Sequence, residues 1–133
     1  MYLSMLDVEK KYLFRNLELI MSKVDGDFSP EEKALIDAHC IEMHIDNNNY
    51  EVQASLDQVI SEIDSSLTSQ EKSIFFLELV GTIMADNVYH NAERELADRL
   101  AHILEINQEK KDEAFNIINE MKSVYEKCAN YIS

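Results

Sequence analysis

The residues of this chain with most chemistry in them are carboxylates placed where helical segments meet. Val24-Asp25-Gly26-Asp27-Phe28-Ser29-Pro30-Glu31-Glu32 closes one apolar-periodic segment, turns on an acidic glycine and opens another. Further along, Ala85-Asp86-Asn87 and Glu93 repeat the pattern, with Asn87 in place of the glycine. Asp25, Asp27 and Glu32 in the first turn offer the oxygen donors that hard cations take several of, so Ca²⁺ or Mg²⁺ is favoured over Zn²⁺. A purely structural reading stands beside this one. Asp25 then stabilises a turn, and Glu32 completes a capping box and faces the positive end of a helix. An EF-hand fails on register. With Asp25 and Asp27 at the third and fifth loop positions, Lys23 falls where an Asp is needed, Phe28 where a Gly is needed, and Ala34 where the bidentate Glu is needed.

Other chemical groupings are weaker. Cys40 and His44 share a helix face, with Asp37 one turn earlier, a spacing that suits two transition-metal ligands. No second Cys/His pair joins them, and a buried small Cys beside a surface His is the leading reading. His90-x-x-Glu93 and His102-x-x-Glu105 run opposite to the Glu-x-x-His order of di-iron bundles. There is no G-x-S-x-G, and with only Gly26 and Gly81 no glycine-rich phosphate loop. The expectation is a protein without catalysis of its own.

The elements that position these groups are helical. Two Gly and one Pro in 133 residues leave too few turn residues for a sheet protein, and 46% hydrophobic content supports a core. Residues 5–24 predict a helix with Leu6, Leu13, Leu17, Ile20 and Val24 inward, opened by Ser4 and Asp7 as a capping box. Ser29, Pro30 and Glu32 mark the start of a second helix, with Leu35, Ile36, His39, Cys40, Ile41 and Met43 inward, ending near Ile45. A third is expected over 49–66, with Val52, Leu56, Val59, Ile60 and Ile63 inward. Thr68 and Glu71 open a fourth, in which Gly81 marks either a close helix crossing or a tolerated weak spot. A fifth covers about 91–104. A sixth starts near Asn107 and runs towards the C-terminus, using Phe115, Ile117, Ile118, Met121, Val124, Tyr125 and Tyr131.

A net charge of −14 disfavours nucleic acid and anionic membrane surfaces, and points to cations or basic protein surfaces as partners. Two distant cysteines, Cys40 and Cys128, give no disulfide framework, which fits a cytoplasmic location. Charged residues through the first turns leave no room there for a secretory apolar segment. The most apolar run, Ile74 to Ala85, is too short to span a bilayer and contains Glu78. The broad apolar face of the last helix suits either the core or a second copy of the chain, so a protein partner or homo-oligomer is expected.

Laid over itself, the first half pairs Phe14 with Phe75, Asp25 with Asp86, Glu32 with Glu93, Leu35 with Leu96 and Ile45 with Ile106. This predicts an all-α fold, about six helices in two pseudo-symmetric three-helix halves, about 5–66 and 67–131, within a single domain over 1–133. The pattern of an apolar helix, (Val/Ala)-Asp-Gly, a Glu in the next helix start, and an amphipathic helix ending at an apolar-Ile turn resembles the tellurite-resistance TerB-like domain. A similar domain occurs in membrane-anchored J-domain co-chaperones. The resemblance spans nearly the whole chain. It implies a TerB-like helical bundle associated with stress response, with divalent-cation ligands at Asp25 and Glu32, and at Asp86 and Glu93.

Overall fold

The computed structural model describes residues 1–24, 28–84 and 91–133, with the side chains of 91–93 outside that description. Among the described residues the chain is all-helical, with no strand. Six α-helices follow in order: α1 (Val8–Lys23), α2 (Pro30–Met43), α3 (Leu56–Ser66), α4 (Ser69–Ile83), α5 (Asn91–Ile103) and α6 (Gln108–Ile132).

The starts follow local chemistry. Ser29, Ser55 and Thr68 each form a full capping box, with Glu32, Gln58 and Glu71 returning a side-chain oxygen to the cap N–H. Asn107 caps α6 through the Lys110 N–H at 2.8 Å. The first helix departs from expectation. Its cap is Asp7, accepting from the Lys10 N–H, whereas Ser4 lies in a short 3-10 turn, Leu3–Met5. The reason is burial: that turn and the extended Leu6 put Leu3 and Leu6 in the core at 0% and 4% exposure, which a continuous helix from residue 5 would not do.

The third helix is also shorter than periodicity predicts. Asn48, Asn49 and Tyr50 all have positive φ (51°, 55° and 60°), so no right-handed helix passes through them. Asp46, Asn47 and Asp37 hold this turn. The Asp46 and Asn47 side chains accept backbone N–H groups two residues on, and the Tyr50 hydroxyl donates to Asp37. Val52 therefore lies in the extended approach to Ser55, packed against a small cluster of Leu19, Ile36 and Cys40.

Leu13 to Leu19 of α1 are buried without a break, so α1 is an inner helix, packed by α2, α3 and α4. In α4, which also touches α5 and α6, Phe75, Phe76, Leu79 and Val80 are at most 2% exposed. Phe14 and Phe75 meet edge-to-face at 5.3 Å where α1 and α4 cross. Several expected core positions lie outside: Val24, Ile41 and Ile117 are exposed, and so are Val124, Tyr125 and Tyr131 of α6. Val24 ends its helix beyond the packed turns, Ile41 sits on the outer face of α2, and α6 extends past the helices that cover its first half.

Candidate functional site: a groove over a buried carboxylate–histidine cluster

Glu18 of α1, His39 of α2 and Glu78 and Thr82 of α4 meet where those three helices touch. All four are buried. The His39 Nδ1 lies 2.7 Å from Glu18 Oε2, and its Nε2 lies 3.6 Å from Glu78 Oε2. The Thr82 hydroxyl donates to the same Glu18 oxygen at 2.6 Å, while Glu18 Oε1 has no hydrogen-bond partner among the described residues. The imidazole thus stands between two carboxylates, with one face edge-on to Phe14 at 5.7 Å. Burial works against its charge, but the Glu18 hydrogen bond and the fields of Glu18 and Glu78 outweigh that and raise its pKa above the ordinary histidine value.

The cluster extends to the surface through the amino-terminal segment. The Met1 ammonium donates to Glu42 Oε1 and Glu78 Oε1, each at 2.9 Å. The Tyr2 N–H donates to Glu78 and the Leu3 N–H to Glu42. Desolvation opposes ionisation of Glu42, but the ammonium and these N–H donors lower its pKa overall. The same pairing raises the ammonium's pKa against its own burial.

Above this cluster lies a groove of about 660 Å³. Ala34, Leu35 and Ala38 of α2 form one wall, Leu77 and Gly81 of α4 the floor, and Ile118, Met121 and Tyr125 of α6 the other wall. Its polar lining includes Glu31, His39, Glu42, Glu78 and Lys122, with the Met1 ammonium on Glu42 and Glu78. The Lys122 ammonium is held by the Met84 carbonyl at 2.6 Å. Apolar walls with a few convergent polar groups are the usual make-up of a binding site.

A second polar knot braces the α2–α3 connection. The Arg15 guanidinium is fully buried; it donates to the Asp46 carbonyl at 2.9 Å and Gln53 Oε1 at 2.8 Å. This knot packs beside Cys40, whose thiol burial pushes up to about 11. His44, at the left-handed end of α2 with φ 56°, is exposed, so Cys40 and His44 do not converge on a common point.

Of the residues singled out as cation ligands, Asp25, Asp27 and Asp86 lie outside the described residues, as does the side chain of Glu93. Glu32 is described: its Oε1 accepts the Ser29 N–H at 3.2 Å, the capping-box role. The set is all carboxylate, so it fits a hard cation by donor type. Among the described residues no group of three or more His, Cys, Asp or Glu is arranged to hold a metal ion, the Glu18–His39–Glu78 cluster included. Nor, among them, is any helix long and apolar enough to cross a membrane.

Sequence reasoning placed His39 inward but missed its partners. Glu78 was visible as the one charge in the most apolar run, and Glu18 as a charge between Leu17 and Leu19. A carboxylate inside an apolar stretch signals a buried partner. No family model matches this chain, and no curated protein or solved structure matches it either.

Proposed function

We propose that this chain is a non-catalytic, stress-associated TerB-like module that works by binding a protein partner in the groove between α2, α4 and α6. The favoured occupant is an amphipathic helix carrying lysine or arginine beside its apolar face. The observation that carries this reading is the groove's composition: apolar walls with Glu31 exposed at the edge and Glu42 half-buried beside the Met1 ammonium, on a chain of net charge −14. The TerB-like identity, and two halves about a pseudo-two-fold axis, are supported by the repeat of the acidic turn and by the all-helical order of elements.

A second reading has its own observation. The two related acidic turns place Asp25, Asp27 and Glu32, and then Asp86 and Glu93, in equivalent sequence positions, which suits divalent-cation binding. One experiment weighs both. Whatever binds the folded state raises Tm by mass action. A synthetic leucine–lysine amphipathic helix should raise Tm, and Ca²⁺ or Mg²⁺ should raise it only if the acidic turns hold a cation. A Tm unmoved by the peptide counts against the groove. A Tm unmoved by either cation, beyond the effect of ionic strength, ends the second reading.

A further inference from the structure

In the last third of α6 only Tyr125 lines the groove, which Met121 also lines one turn earlier; the rest of that segment lies clear of it. Residues 123–133 are all exposed, with Val124 at 55%, Tyr125 at 67% and Tyr131 at 91%. Ile117, Met121, Val124, Cys128 and Tyr131 follow one another at alternating steps of four and three. That alternation is the heptad seam of two packed helices, not the wider stripe of a helix lying on a core. We propose that the chain forms a two-fold dimer by antiparallel packing of this seam of α6 against the same seam of a second copy. This rests on reading the chain as a protein-interaction module, and names a second copy as the partner of the surface beside the groove.

Charge selects the antiparallel arrangement. With Met121 opposite the partner's Val124, the next layer sets Ile117 against the partner's Cys128, and the two-fold repeats both layers. In this register Glu120 of each copy falls beside Lys127 of the other, so the symmetry makes the ion pair twice. Both side chains lie on exposed positions of α6. In a parallel pair, Glu120 would instead face Tyr125 and Lys127 would face Ile132, with no charge match, and the two Cys128 side chains would face each other.

The test is the mass in solution by light scattering, from low micromolar to near-millimolar protein, for wild type, Lys127→Glu and the double variant Glu120→Lys with Lys127→Glu. Wild type should reach twice the chain mass. Lys127→Glu sets like charges together and should weaken the dimer by about tenfold, and the double variant should restore it. Under mild oxidation, Ile117→Cys should form a disulfide with the partner's Cys128. A wild type monomeric throughout would overturn the proposal. So would a dimer indifferent to the charge exchange, or one cross-linked in wild type through Cys128 to Cys128. A monomer that still binds the leucine–lysine helix leaves the groove reading standing, so the two failures are distinguishable. The substituted positions are exposed or half-exposed, and unchanged helicity by circular dichroism confirms that each variant folds.

Discussion

His39 is the residue on which most of the site's electrostatics turns. Its pKa in the fold is raised from 6.5, so the stabilisation it brings is fully present below that value and is lost as pH rises through the folded pKa. The Met1 ammonium, raised from 8.0, acts with the same sign at higher pH. Glu42 and Glu71, both lowered from 4.5, act in the opposite sense: their contribution is present above that value and lost on acidification. Tm should therefore peak between the carboxylate and histidine ranges and decline from pH 6 to pH 9. His39→Gln should cost about 2–4 kcal/mol, because it leaves Glu18 and Glu78 buried without their shared cation, and should flatten the decline. Thermal melts across pH on both proteins check this. A slope unchanged in His39→Gln would mean that another group carries it. At this scale the sequence was legible only in part. Glu78 is the one charge in the most apolar run and Glu18 lies between two leucines, but three helices bring them to His39, and periodicity along one helix carries no such information.

At the scale of elements, caps were the most readable feature. Ser29 and Thr68 open their helices as expected because a capping box is local: four residues contain both hydrogen bonds. Two starts were misread for reasons that are not local. Ser4 and Asp7 can each cap a helix, and burial of Leu3 and Leu6 decides for Asp7. The left-handed run at Asn48–Tyr50 depends on Asp37, more than ten residues away, receiving the Tyr50 hydroxyl at 2.8 Å and the Asn47 amide at 2.7 Å. Gly81 illustrates the complementary point. It faces α6 where α4 crosses it, yet a Cβ there would meet Ile118 Cδ1 at 3.8 Å, an ordinary contact. The crossing leaves room for a methyl group, so the weak-spot reading holds. Gly81→Ala should stabilise the protein by about 0.5–1 kcal/mol and raise Tm by a few degrees. A lower Tm would show that the helices need the closer approach.

At the scale of the molecule, the sequence conveyed the all-helical class through its dearth of Gly and Pro and its repeated 3.6-residue periodicity. It did not convey which apolar stripes stay outside. Val124, Tyr125 and Tyr131 look like core residues until the length of α6 is set against the helices that cover it. Nor does periodicity reveal the groove, which lies between α2 and α6 over α4, with the small residues Ala34, Ala38 and Gly81 lining the gap. The proposed binding element is this groove, and not the general acidity of the surface. It is tested most directly by fluorescence titration of a labelled leucine–lysine amphipathic helix into wild type and Ala38→Glu. Ala38 lines the groove from an exposed helical position, so the substitution fills the groove and adds negative charge without disturbing the core. Ala38→Glu should weaken binding at least tenfold, about 1.4 kcal/mol. Binding that is unchanged or tighter in Ala38→Glu would show that the peptide does not sit in the groove, and would overturn the proposal.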